Sequence, residues 1–291
     1  MVPCAADRLA AVACYFNPCG YRRLRDNHRR FRAAWHGAPL FTVEVSYDGR
    51  FDLHADWQLH ASECHMLWQK EALLNWAIRQ LPGQFDRVAW VDADLLFLNP
   101  DWAAATSRLL DECPVVQLFE RCHYANQCGV IEGVWPSLVH QRTCGMNQFG
   151  KQHGLPGGAW AARRDLLDRH GLYAGNVIGG GDTVFAHAVL GLPTPRRWPP
   201  GLRADARRWS RGVYREVAGR VGCTPGDVVH AYHGRREHRQ YVERTAILRE
   251  TEFDPRTDVR VGDRGLLEWS SSKPELHRRV RAYFESRRED E

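Results

Sequence analysis

The chain has 291 residues, 44% of them hydrophobic and 26% charged, with 40 basic against 35 acidic side chains. This is the composition of a globular protein with apolar residues enough for a large core, and it excludes a disordered or low-complexity chain. No apolar run approaches the ~20 residues a membrane helix needs, and Met1 to Ala13 lacks the basic start and long apolar stretch of an export signal. A cytoplasmic protein without a membrane partner is therefore expected.

The nine cysteines contain no Cys-x-x-Cys pair, and without an export signal they are expected to be reduced thiols. Their spacing also admits a structural zinc among Cys113, Cys122, His123, Cys128 and Cys144. Lys70, Lys151 and Lys273 are the lysines; every other basic residue is arginine. A GC-rich coding sequence would produce that skew. The distribution carries more: residues 196–249 hold 13 arginines against 5 acidic residues, and 21–32 hold six against one. Such stretches suit an anionic partner, either a nucleotide diphosphate or the phosphates of a nucleic acid.

In chain order, Ala10 to Phe16 reads as a buried strand ending in the Asn17-Pro18 turn signal, and Tyr21 to Trp35 as a basic helix. Leu40 to Val45 is a second strand. Ser62 to Leu81 has the apolar stripe of an amphipathic helix, capped by Ser62 and ended by Pro82-Gly83. The run Arg87 to Val91 is a strand that stops at Asp92-Ala93-Asp94. Asp101 to Asp111 is a helix and Val115 to Phe119 a strand, so the first 120 residues alternate as a mostly parallel sheet requires. Residues 120–157 lose periodicity and are expected to form a long loop. Gly157 to Ala162 is a short strand, Arg164 to His170 a helix, and Gly179-Gly180-Gly181-Asp182 opens a helix to about Leu190. Arg203 to Arg220 reads as helix, Asp227 to Tyr232 as a strand running into His233-Gly234, and Pro274 to Arg288 as a charged helix. A core over 1–200 with a C-terminal extension over 201–291, packed on it and completing the phosphate site, is the expected organisation.

Three constellations carry chemistry. Asp92 and Asp94 at a strand end put two carboxylates at the carboxyl edge of the sheet, where open α/β sheets bind ligands; they suit Mg²⁺ or Mn²⁺ held between protein and phosphate. Asp94 could instead cap the next helix. The triple-glycine turn lets backbone approach a ligand closely and places Asp182 at a helix start, as a carboxylate that accepts a proton from a hydroxyl or as an N-cap. His230 and His233, three apart, would face opposite sides of a straight strand, so both reach one metal only if the strand ends between them. Arg235, Arg236, Arg239 and Arg244 follow and would neutralise a diphosphate, or lie on a solvated turn.

Trp68-Gln69-Lys70-Glu71-Ala72-Leu73-Leu74-Asn75, followed by Val88-Ala89-Trp90-Val91-Asp92-Ala93-Asp94, resembles the basic residue, Asn and Asp-x-Asp order of GT-A glycosyltransferases. The run from Gly157-Gly158-Ala159-Trp160 to Gly180-Gly181-Asp182 looks like their acceptor-side half, and His230 or His233 falls where such enzymes often supply a late metal ligand. The resemblance covers about residues 8–245. It implies a GT-A α/β fold, a metal ion (Mn²⁺ or Mg²⁺) and a nucleotide-sugar donor, with UDP-sugar foremost. Asp94 would bind the metal, and Asp92 the metal or the donor ribose. Phe16, Asn17 and Glu44 would frame the base, Lys70 and Asn75 would face the donor, and Asp182 would be the base of an inverting enzyme. The usual acidic pair of inverting enzymes is here Gly181-Asp182. No Lys-Pro-Trp follows the histidines, so Arg235, Arg236 or Arg239 would bind phosphate instead.

The acceptor is less defined. The basic stretches, with Tyr21, Trp198, Trp209 and Tyr241 for stacking on a displaced base, fit a hydroxymethylated pyrimidine such as hydroxymethylcytosine in DNA, as in the soluble glycosyltransferases of bacteriophage DNA-modification loci; location would then be the host cytoplasm. A glycan or small-molecule acceptor, and a non-catalytic carbohydrate or nucleic-acid binder, are the alternatives. A dehalogenase-type phosphatase is disfavoured because at least two strands precede the Asp pair and Leu95-Leu96 follow it. A pyrophosphorylase would need a glycine-rich phosphate loop that residues 10–25 lack.

Overall fold

A computed structural model describes residues 8–144 and 154–291. Strand and helix alternate through β1 (Leu9–Phe16), α1 (Arg22–Ala34), β2 (Leu40–Ser46), β3 (Trp57–His60), α2 (Lys70–Gln80), β4 (Arg87–Val91), β5 (Leu95–Phe97), α3 (Trp102–Glu112) and β6 (Val115–Gln117). There follow β7 (Arg121–Ala125), β8 (Ile131–Pro136), α4 (Leu138–Cys144), β9 (Ala159–Arg163), α5 (Arg164–His170), α6 (Gly181–Leu190) and α7 (Pro200–Val217). The remainder comprises β10 (Val221–Cys223), β11 (Asp227–His230), α8 (Arg244–Glu250), α9 (Pro255–Asp258), β12 (Val259–Val261), β13 (Leu267–Trp269) and α10 (Pro274–Ser286).

The main sheet has the order β10-β6-β9-β4-β1-β2-β3, and β5-β11-β7-β8 form a second sheet. In the main sheet only β9 runs antiparallel, against both β4 and β6. This is the mostly parallel α/β architecture that the alternation implies. Period-two side chains divide β1 between two cores: Ala10 and Val12 face α2, α5 and α6, while Leu9, Ala11 and Ala13 face Phe31 of α1 and Trp102 and Leu110 of α3. Trp90 and Trp160 are register partners across β4 and β9, and both meet the ring of Phe185 from α6 edge-on. β1 separates β2 from β4, so the chain order reverses there and a crevice opens between the carboxyl ends of β1 and β4. A third apolar cluster joins Leu67, Ile178, Trp198, Leu248, Val280 and Tyr283, seating α8 and α10 against the chain around the glycine turn.

Two expectations need correction. The helix expected from Ser62 begins only at Lys70. Ser62 closes a single 3₁₀ turn over Glu63–His65, its N–H donating to His65 Nδ1 at 2.9 Å, and the Trp68 N–H then turns away to Val177 O. Leu67 thereby leaves the helical stripe for the third cluster. The expected loop over 120–157 contains the β7–β8 hairpin and α4, and residues 145–153 of it lie outside the described residues. Its periodicity is masked because β7 buries Cys122 but spends His123 on Asp227, at 2.8 Å.

The chain beyond residue 200 supplies β10 to the edge of the main sheet and β11 to the interior of the second, so it is woven into both. Among the described residues the five zinc candidates do not converge, and eight cysteines are unpaired. No helix among them is long and apolar enough to cross a membrane.

Candidate active site

The crevice at the β1/β4 junction opens into a cleft of about 650 Å³. Its floor is the end of β4. The Asp92 N–H donates to Gly158 O at 2.8 Å and the Ala231 N–H donates to Asp94 O at 2.8 Å, so backbone bonds on both sides fix the Asp-Ala-Asp turn. β5 starts directly after Asp94, and its Leu95 is the register partner of His230 on β11. That pairing sets the His230 imidazole beside the Asp94 carboxylate. β11 ends at His230, and the chain turns so that His233 comes back onto it, ring centroids 4.4 Å apart. The strand does stop between the two histidines.

Asp94 Oδ1 lies 3.9 Å from His230 Nε2, and Oδ2 lies 3.5 Å from His233 Nε2. Ligand atoms of all three residues fall within 4.8 Å of one another. A divalent cation fits this set. Asp94 Oδ1 is buried with no hydrogen-bond partner, a vacancy in hydrogen bonding that a cation would satisfy. His230 Nδ1 sits 2.9 Å from Ala231 O; a proton there leaves the Nε2 lone pair for a metal. Burial pushes the His233 imidazole well below its ordinary value, Arg239 and His230 adding to the effect, which keeps it neutral. One carboxylate and two imidazoles suit Mn²⁺ better than Mg²⁺, which favours oxygen ligands.

Asp92 points elsewhere. Lys70 Nζ bridges Asp92 Oδ1 at 2.5 Å and Asp182 Oδ2 at 2.9 Å. Burial opposes the charge on this ammonium, yet Asp182, Asp92 and Glu71 outweigh it and hold the Lys70 pKa well above its ordinary value. Burial raises the Asp182 carboxyl, with Lys70 pulling the other way. Asp182 is in the first turn of α6, and Gly180 before it adopts φ +102°, a left-handed conformation that glycine takes without strain. Gly157 must also lack a side chain, because a Cβ there would lie 2.9 Å from Asp182 Oδ2.

Phe16, Arg236 and Arg239 line the cleft with these groups. Phe16 meets Trp68 edge-on, centroids 5.2 Å apart. The Arg236 guanidinium lies over Trp135, 5.4 Å from the ring centre. Arg239 is buried and committed to protein: it donates to His233 O at 2.6 Å and to both oxygens of Glu289 at 3.3 Å. Four expected ligand residues do not line the cleft. Glu44 accepts the N–H groups of Asp52 and Leu53, Asn75 closes two hydrogen bonds with the backbone of Leu172, and Asn17 does the same with Tyr21. Arg235 is exposed beside Glu237. Conversely, Arg287 and Glu289 line the cleft from the end of the chain, Arg287 lying 5.2 Å from the centre of the Trp68 ring. Nothing local in that charged tail marks them, since their place depends on α10 docking across the fold.

No protein-family model matches the sequence, and no curated protein matches it significantly. Among solved structures, the chain is similar to a Drosophila beta-1,4-galactosyltransferase 7 variant in complex with manganese, UDP-Gal and xylobiose, at 13% identity and TM-score 0.43, over 92% of this chain and 98% of that one. A mycobacterial protein shares 15% identity at TM-score 0.44, over 92% and 85%. Mycobacterium tuberculosis glucosyl-3-phosphoglycerate synthase shares 13% at TM-score 0.39, over 92% and 89%. Likeness at this level transfers no activity to this chain.

Proposed function

We propose that the protein is a metal-dependent glycosyltransferase that moves a sugar from a nucleotide-diphosphate sugar, foremost a UDP-sugar, to an acceptor hydroxyl. The observation that carries this reading is the convergence of Asp94, His230 and His233 at the carboxyl edge of the sheet, beside the Lys70-bridged pair Asp92 and Asp182. The donor set alone also suits Fe(II); aromatic and arginine walls in the same cleft favour a nucleotide diphosphate.

Asp94, His230 and His233 would hold the ion, which when bound supplies positive charge to the diphosphate leaving group. Phe16 and Trp68 offer apolar surface to the base, and Arg236 and Arg244 offer guanidinium groups at the cleft wall. As the acceptor oxygen bonds to the sugar carbon and the bond to the diphosphate breaks, the hydroxyl proton passes to Asp182. Lys70 holds that carboxylate in place and counters the effect of burial on it, while Asp92 remains beside it to accept a hydrogen bond from a donor hydroxyl. Titration calorimetry with UDP, with and without Mn²⁺, tests the core of the reading. Binding that requires both the ion and Asp94 is expected; binding of UDP unaffected by metal would reject it.

For the acceptor, a hydroxymethylated pyrimidine in DNA is the finer proposal. It is supported by exposed Tyr241, with the Arg244 guanidinium 5.1 Å from its ring centre, and by Arg23 of basic α1 over Tyr232 of the cleft. The arginines of α7 give it no support, since none lines the cleft, and Trp209 packs in the core with its N–H bonded to His170 O. A glycan or small-molecule hydroxyl would use the same Asp182. Incubation with hydroxymethylated DNA and a panel of nucleotide sugars, followed by nucleoside mass analysis, separates the two: no mass gain with any donor rejects the DNA acceptor.

A further inference from the structure

Beneath the glycine turn lies a carboxyl that the reaction outlined above leaves unused. Glu71, second residue of α2, is 5% exposed, and its Oε1 is buried without a hydrogen-bond partner. It occupies the space into which a side chain at 181 would project, since a Cβ on Gly181 would overlap the Glu71 carboxyl. Three carboxyls therefore surround one ammonium: Asp92 and Asp182 take the short ion pairs of Lys70, and Glu71 sits behind them. Cys14 of β1 faces the same group, and Arg244 of α8 reaches within 3.9 Å of the side-chain position of Gly180.

One cation in a desolvated site does not compensate three anions, so the state of lowest cost carries a proton on one carboxyl. Asp92 and Asp182 keep 29% and 26% of their side-chain surface and hold Lys70 directly. Glu71 has neither advantage. We propose that Glu71 is a positioning residue for Asp182: a neutral carboxyl, packed on Gly181, that holds the Lys70–Asp182 pair in place and leaves Asp182 as the ionised member. The role of Asp182 rests on the glycosyl-transfer reading; the proton on Glu71 does not. Burial, with Asp182 next, pushes the Glu71 carboxyl up to about 8, in keeping with the geometry. Above that value a third carboxylate charge appears beneath the cleft floor, leaves the cluster around Lys70 with a net charge of two negative, and opposes an anionic donor.

The test uses the full chain and three readouts. Infrared difference spectra of wild type minus Glu71→Gln, with ¹³C-labelled glutamate carboxyls, should show a protonated-carboxyl band at neutral pH that disappears as pH rises through about 8. Absence of the band overturns the proposal whether or not any sugar is transferred. For turnover, Glu71→Ala should lower kcat roughly tenfold, and Glu71→Gln, neutral and of the same shape, should recover most of it. A Gln variant as slow as Ala, at an equal melting temperature, overturns the positioning role. In calorimetry with UDP and Mn²⁺, wild-type affinity should fall roughly tenfold between about pH 7 and about pH 9 while that of Glu71→Gln changes little. Identical pH dependence in both overturns it. Failure of wild type to transfer any sugar would sink the glycosyl-transfer reading, and the infrared band would still decide the state of Glu71.

Discussion

Asp94 and Lys70 do different work although both sit at the cleft floor. Asp94 faces two imidazoles, so Asp94→Asn should abolish the Mn²⁺-dependent stabilisation by UDP and lower kcat by roughly 100-fold or more; thermal shift with and without metal reads the first, steady-state kinetics the second. Lys70 bridges Asp92 and Asp182. Lys70→Met leaves two like charges together and should cost about 1–3 kcal/mol, less than a fully buried pair because both carboxylates stay partly exposed; urea unfolding measures it. The Asp-x-Asp spacing, the Asp182 turn and the histidine pair were legible in the sequence because each is a local pattern at an element boundary. Glu44, Asn17 and Asn75 look like ligands for the same reason. What they satisfy is the backbone of Asp52, Tyr21 and Leu172, and no pattern in the chain shows which polar side chain will be taken by a backbone amide.

At the scale of elements, the site depends on where strands stop. β4 ends before Asp92 and β11 ends at His230, and both boundaries follow from apolar runs giving way to polar residues. The β7–β8 hairpin and the late start of α2 were not legible, because hairpin residues contact another strand rather than a uniform core, and the 66–69 stretch keeps helical apolar spacing while packing elsewhere. Trp160, fully buried between Trp90 and Phe185, ties β9 to α6, so Trp160→Ala should destabilise the fold by ~3–5 kcal/mol in urea titration. Gly157→Ala acts through geometry instead. Its Cβ would press on Asp182 Oδ2, and kcat should drop with metal-dependent UDP binding retained; loss of both together would show that the turn itself had collapsed.

For the whole molecule, buried imidazoles contribute to the response to acid. His28 lies between the rings of Tyr15 and Phe31, and burial, with Arg32 adding, lowers its pKa to about 4. Unfolded, a histidine titrates near ~6.5. Between those values the unfolded chain binds a proton that the folded one refuses, so stability falls as pH falls, by roughly 3 kcal/mol from this group. His233 shifts in the same direction. His28→Phe should flatten the loss of melting temperature between about pH 6.5 and about pH 4; an unchanged slope would assign acid sensitivity to other groups. By itself the sequence determined the alternating elements, the mostly parallel sheet and the acidic end of β4, since apolar periodicity and strand-end residues are local properties. Only the tertiary structure decided that Asp94 would face two histidines while Asp92 turned to Lys70, that Glu71 would lie under Gly181, and that the end of the chain would line the cleft. Those contacts join segments far apart in sequence, and their geometry is set by how sheets and helices dock rather than by any pattern along the chain.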